Sequence, residues 1–350
     1  VLIRREITRY WPSRHRGKTA VVKLLVAARA YRLLAIVFAR ATKERTPDGR
    51  QVSRWRHQQG RPTVLALLGE SFRGDPEILA ADGRLRVLEL SAEWLRRLVY
   101  CFYDRRTSWR QIVNPDGDSK QLRSKSRYRS FLAAFLPILY RRIGADCVIS
   151  PHIHFGLDFD WGAVSQELRV PYVVLHRENL YASPALLKRI RERLSLLKFS
   201  FEGDSIVVHN EIARRHLIEC GVAPADRVVT LGAIRMDRFL RRIAALPDNE
   251  APHRRLTFFP FNLVGGTGGT FPPDMARDYF DRVAVTITRF AMNNSGIEVV
   301  IKPKSDAEDE WRRNFRLALT AASIDPKTIP NLVISSKPDA QNLILRSDVV

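Results

Sequence analysis

The stretch Val148–Glu178 constrains this chain most. It reads VISPHIHFGLDFDWGAVSQELRVPYVVLHRE. An apolar run, Asp146–Ser150, leads into a polar loop and a helix-length segment, and a second apolar run, Pro171–Leu175, follows. Short apolar runs joined through a helix predict a βαβ unit, and so parallel strands. Each run ends in residues able to do chemistry. His152, His154 and Asp158 follow the first; His176, Arg177 and Glu178 follow the second. In open parallel sheets ligands bind outside the carboxyl ends of the strands. These groups are therefore expected along one rim.

The alternation extends in both directions. Thr63–Leu68 and Arg84–Leu90 read as earlier strands, and Asp204–His209 and Arg227–Thr230 as later ones. Tyr128–Tyr140 reads as a helix closed by Gly144, and Glu211–Cys220 as one capped by Asn210 and stopped at Gly221. Pro184–Lys198 has apolar positions at helical spacing. Arg105–Arg127 is polar, carries an Asn-Pro-Asp-Gly turn signal, and reads as a long loop.

Ala244–Arg255 is rich in Pro, Asn, Asp and Glu and marks a domain boundary. Beyond it, Leu256–Phe261, Ile297–Ile301 and Leu332–Ile334 read as strands, and Asp274–Met292 and Ala307–Ala322 as helices. Three sections follow: a basic helical extension (1–60), a first α/β domain (61–245) and a second (254–350). The apolar run at Asp348–Val350 opens a further strand at the chain end, so the second domain is expected to be incomplete.

A length of 350 residues suits two domains, and 45% hydrophobic content excludes a disordered chain. Three scattered cysteines, Cys101, Cys147 and Cys220, support neither a disulfide framework nor a thiolate metal cluster. The net charge is +21 and uneven: residues 1–60 hold 15 Lys/Arg against 3 Asp/Glu, a net of +12. Such a segment favours an anionic partner, and no nucleic-acid motif accompanies it. Residues 20–40 are apolar but broken by Lys23, Arg29 and Arg32. That makes a poor membrane span and leaves two readings, a helix docked on the protein or one lying on a membrane surface.

Val207–Leu240 carries His209-Asn210, Gly221-Val222, Arg227-Val228, and then Gly232, Arg235 and Asp237. This stretch resembles one that recurs in GT-B-fold glycosyltransferases of bacterial surface-carbohydrate and capsule biosynthesis. It is also similar to that of CDP-glycerol glycerophosphotransferases and UDP-GlcNAc 2-epimerases. Ile301-Lys302-Pro303-Lys304 resembles the end of a strand in the second domain of the same group, although Lys304-Ser305 stands where the CDP-glycerol type usually has His-Pro. The resemblance covers about residues 145–350. It implies an α/β fold of two Rossmann-like domains facing a cleft, and metal-independent chemistry on a nucleotide-activated donor. Apart from the resemblance, the scattered cysteines suit a reducing compartment and the basic residues 1–60 suit an anionic surface, so the expected place is the cytoplasm, with peripheral contact to the inner face of the cytoplasmic membrane.

Each candidate group has a bland alternative. Glu178, His176, His154 and Asp158 are candidate acid/base residues; the alternatives are helix capping and an Arg–Glu pair at the sheet edge. His176 and Glu178, two apart, share one side of an extended chain, with Arg177 on the other. His152, Glu70 and Ser71 are candidate acceptor contacts. Lys302 and Lys304 are placed to hold a departing diphosphate, and Arg235 to touch the donor. Gly265, Gly266 and Thr267 lie in a glycine-dense loop able to cradle phosphate, although it matches no Walker or dinucleotide fingerprint. No metal and no cofactor is expected beyond the nucleotide sugar itself. The expected partners are that donor, a glycan or lipid-linked acceptor, and an anionic membrane touched by residues 1–60. Three rivals stay open: a polyol-phosphate transferase, a sugar-nucleotide 2-epimerase, and a non-catalytic polysaccharide assembly protein.

Overall fold

The computed structural model describes residues 16–53, 60–69, 74–115, 119–153, 156–177, 184–197, 200–245, 254–260, 273–304, 308–325 and 328–350. Of the sequence-predicted site residues, Glu70, Ser71, His154, Glu178, Gly265, Gly266 and Thr267 lie outside the described residues. The chain divides into two compact units, Val1–Arg238 and Phe239–Val350.

The first unit begins with two helices, α1 (Arg16–Ala27) and α2 (Tyr31–Ala41), where the sequence suggested one. Arg29 takes a left-handed φ of 52° and breaks them apart. Val22 of α1 and Leu34, Ala35 and Phe38 of α2 are buried in the same core as the sheet that follows. Strands β1 (Lys43–Arg45) and β2 (Gln51–Val52) form a small hairpin. Then come β3 (Thr63–Leu67), α3 (Asp75–Ala81), β4 (Arg86–Leu90), α4 (Ala92–Val99), α5 (Trp109–Val113) and α6 (Ser119–Ile143).

The expectation of a long loop over Arg105–Arg127 is corrected here. Ser108 caps α5 by accepting from the Gln111 N–H, and α6 begins nine residues before Tyr128. The reason is physical: SKQLRSKSR is built largely of straight-chain helix formers. Tyr128, Phe131, Phe135 and Leu139 then bury one face of α6, with Phe38 edge-on to Phe135 at 5.3 Å.

The unit continues with β5 (Cys147–Ser150), α7 (Phe159–Glu167), β6 (Tyr172–Leu175), α8 (Pro184–Leu197), β7 (Ser205–Val208), α9 (Glu211–Glu219) and β8 (Val228–Thr230). Asn210 caps α9 by accepting from the Ala213 N–H at 2.8 Å, and Gly144 and Gly221, both at positive φ, close α6 and α9. The sheet order is β2-β1-β4-β3-β5-β6-β7-β8. All pairs from β4 to β8 are parallel, and the β1–β2 hairpin joins β4 antiparallel. Arg45 braces that edge, 2.6 Å from Glu89 and 3.1 Å from Glu77. Strand order reverses at β3, which puts the ligand crevice typical of such sheets at the carboxyl ends beside it.

Helix α10 (Asp237–Ala244) spans the division between the units. The second unit has β9 (Arg255–Phe258), α11 (Pro273–Asn293), β10 (Glu298–Ile301), α12 (Glu308–Ala321), β11 (Leu332–Ile334) and α13 (Ala340–Leu345). Its three strands are parallel in the order β11-β10-β9, and Val349 makes a further parallel bridge to Leu256. Phe280, Ile301, Trp311, Phe315 and Leu319 form a core of its own. The protein is thus a pair of α/β units, each a mainly parallel sheet flanked by helices, with a helical N-terminal section: the GT-B-like fold class that the sequence resemblance implies.

Candidate active site

The first unit gathers its polar groups at the carboxyl ends of β6, β7 and β8. A small pocket there is lined by Asp75, His176, His209, Gly232 and Arg235, with Leu175 and Val207 as its apolar walls. Each residue arrives by the same local logic. His176 and Arg177 leave β6, His209 leaves β7, and Arg235 sits on a short 3-10 turn after β8. Asp75 opens α3, whose first turn packs on that 3-10 turn. The approach is close enough to require a glycine before it: Gly74 has φ of 101°, and a Cβ there would lie 3.0 Å from the Arg235 Cβ.

Asp75 is the organising group. It is 2% exposed, accepts the Arg235 backbone N–H on Oδ1 at 3.2 Å, and its Oδ2 accepts no hydrogen bond among the described residues. Two guanidinium groups flank Oδ2: Arg177 Nε at 3.6 Å and Arg235 Nη1 at 4.0 Å. Burial pushes the Asp75 carboxyl up, and the two arginines work against that shift. The same burial, followed by the positive charge of Arg235 and Arg177, pushes His209 down. Its imidazole is therefore biased toward the neutral form, the state in which a ring nitrogen can accept a proton. His176 is 4% exposed. The rim thus combines a neutral imidazole, a buried carboxylate and two cations, a set suited to handling a hydroxyl beside an anionic group.

The other described candidates lie elsewhere. Asp158 is fully buried beneath the rim, where the Ser150 hydroxyl donates to its Oδ2 and Tyr172 donates to its backbone oxygen at 3.3 Å. Burial pushes its carboxyl up to about 7. His152 follows β5, and its backbone N–H donates to Ser150 Oγ at 3.3 Å. Lys302 and Lys304 belong to the second unit, after β10. Lys302 Nζ donates to the Ser336 carbonyl at 3.0 Å, and Lys304 is exposed. Ser336 in turn donates its N–H to Glu308 at 2.8 Å; with its hydroxyl and Arg312, this holds that carboxylate down at about 2. Among the described residues, no group of three or more His, Cys, Asp or Glu side chains gathers to hold a metal ion.

Sequence reasoning passed over Asp75, and it named His209 only within a motif. The one local signal for Asp75 was the Gly-Asp-Pro-Glu helix start after the first long strand.

No protein-family model matches the chain, and no curated protein matches it. Solved structures similar to it include UDP-N-acetylglucosamine 2-epimerase from Rickettsia bellii, at 11% identity over 81% of this chain and 71% of that one, with a TM-score of 0.42. A UDP-forming α,α-trehalose-phosphate synthase from Burkholderia xenovorans is similar at 13% identity over 82% and 77%, TM-score 0.40. The Methanocaldococcus jannaschii UDP-GlcNAc 2-epimerase is similar at 10% identity over 82% and 76%, TM-score 0.39.

Proposed function

We propose that this chain is a glycosyltransferase that moves a sugar from a nucleotide-activated donor to a bacterial surface glycan or lipid-linked acceptor. The observation that carries the reading is the neutral His209 set beside buried Asp75 and two arginines at the tips of parallel strands. In this mechanism His209 takes the proton of the acceptor hydroxyl as that oxygen attacks the anomeric carbon. The bond from that carbon to the diphosphate breaks, and the nucleoside diphosphate leaves with the electron pair. Asp75 accepts a hydrogen bond from a neighbouring hydroxyl of the acceptor, Arg177 holds the acceptor's anionic part, and Arg235 touches the donor. Lys302 and Lys304 of the second unit keep their proposed role as cations suited to a diphosphate. Glu178 and His154 keep a proposed acid/base role and are tested by their own variants. The basic residues of 1–60 bring the enzyme to the anionic face of the cytoplasmic membrane.

The test is a calorimetric screen of UDP, CMP, CDP, GDP and dTDP sugars against the chain, followed by turnover. His209→Ala should lower kcat by about a hundredfold or more, the usual contribution of a positioned base. Lys302→Ala with Lys304→Ala should weaken donor binding. Failure of every nucleotide sugar to bind would remove the reading. Binding with release of free sugar, in the absence of any acceptor, would replace it with the epimerase.

A further inference from the structure

Helices α1 and α2 present an outer face that the core does not use. Val22, Leu34 and Phe38 point inward, whereas Val21, Leu24 and Leu33 are 48%, 68% and 56% exposed. Lys18, Lys23, Arg29 and Arg32 are exposed on the same helix pair and its connection. No acidic side chain occurs between Ile7 and Lys43. Beside these helices is a pocket lined by Lys18 of α1, Val37, Arg40 and Ala41 of α2, Lys43 of β1, Ser53, and Trp94 of α4. Among the described residues, three cations, a hydroxyl and an indole line it, and no carboxylate does. Lys43 pairs in register with Glu89, one residue from the carboxyl end of β4, so the pocket sits toward the same end of the sheet as the candidate active site.

We propose that the α1–α2 face docks on an anionic bilayer, with Lys18, Arg40 and Lys43 gripping a lipid headgroup phosphate. Leu24, Leu33 and Val21 enter the boundary of the acyl chains, and the flanking Lys23, Arg29 and Arg32 stay at headgroup level. The two kinds of contact are complementary: cations draw the face to a negative leaflet, and apolar side chains anchor it once there. Among the described residues no helix is long and apolar enough to cross a membrane, so this mode is attachment to one leaflet. The inference rests on the membrane part of the proposed function and is independent of the transfer chemistry.

The experiment is co-sedimentation of the full chain with two vesicle types, phosphatidylcholine alone and phosphatidylcholine mixed with phosphatidylglycerol. The protein should pellet with the mixed vesicles and stay in solution with the neutral ones. Replacing Lys18, Arg40 and Lys43 together by Ala should weaken binding by on the order of a hundredfold, about fivefold for each cation. A second variant, Leu24→Ser with Leu33→Ser, alters exposed positions only. It should retain the attraction at low salt and lose it as salt rises. Melting curves for both variants check that the fold survives. Equal binding to the two vesicle types, no binding to either, or undiminished binding by a folded triple variant would overturn the proposal. Release by millimolar inorganic phosphate would also overturn it, by assigning the pocket to a soluble phosphoryl ligand. Nucleotide-sugar binding by the triple variant, followed by calorimetry, should equal that of the parent; its loss would point to the transfer site instead.

Discussion

Asp158 illustrates how a single buried carboxyl contributes to the pH response of a domain. Its carboxyl is pushed from an ordinary value of 3.8 up to about 7, chiefly by burial, with the Ser150 hydroxyl bond as partial relief. In the folded chain it keeps its proton where the unfolded chain has lost it. Its own contribution to stability is therefore fully present below about pH 4 and is lost as pH rises toward about 7, on the order of 4 kcal/mol for a three-unit shift. Denaturant melts across this range should show the decline, and Asp158→Asn should flatten it. His209 predicts a second profile. The base must be unprotonated, so activity should drop only below a pH lower than the usual histidine value, and His209→Ala should remove that limb. Much at this scale escaped sequence reading for a concrete reason: Asp75 and Arg235 bond across 160 positions. No local pattern encodes such a distance. The strand period separated Arg177 from His176 and Glu178, but only the folded chain supplied Asp75 as its partner.

At the scale of elements, α7 shows what a buried helix demands. Seven of its nine residues are buried. Gly162 within it faces the Glu202 carbonyl so closely that an added Cβ would lie at 2.5 Å, with the Tyr172 ring at 3.2 Å. A backbone oxygen cannot swing aside as a side chain can. Gly162→Ala should therefore destabilise by about 1–3 kcal/mol despite alanine's better helix propensity, read as a lower melting temperature. Elements were the most legible part of the sequence. Strands such as Leu332–Ile334 and caps such as Asn210 and Gly144 announce themselves through composition and turn chemistry. The polar start of α6 did not. Its lysines and arginines resemble loop composition, and only the aromatic face further along shows that the helix has something to pack against.

For the whole molecule, the division into two units carries an energetic claim. Each has its own core, one built on Phe38, Phe135 and Trp161, the other on Phe280, Trp311 and Phe315. A unit with its own core unfolds as its own cooperative step. Residues 1–238 expressed alone should give one sigmoidal melt with native near-UV circular dichroism. A broad, featureless transition would show that the first unit depends on the second. The inner faces of α1 and α2 pack into this unit's core, so removing residues 16–41 should abolish that transition.

The β1–β2 hairpin has a consequence beyond its size. Without it, β4 would leave five residues of backbone N–H and C=O open to any passing chain. The hairpin occupies that border with strands of only three and two residues, the inner one charged and pinned by Arg45, and so leaves little for a neighbour to extend. At the opposite border, β8 is also just three residues long. A continuous, self-templating ribbon has nowhere to start on this sheet. Excising residues 43–52 should create such a starting point, visible as concentration-dependent light scattering that exceeds that of the parent protein.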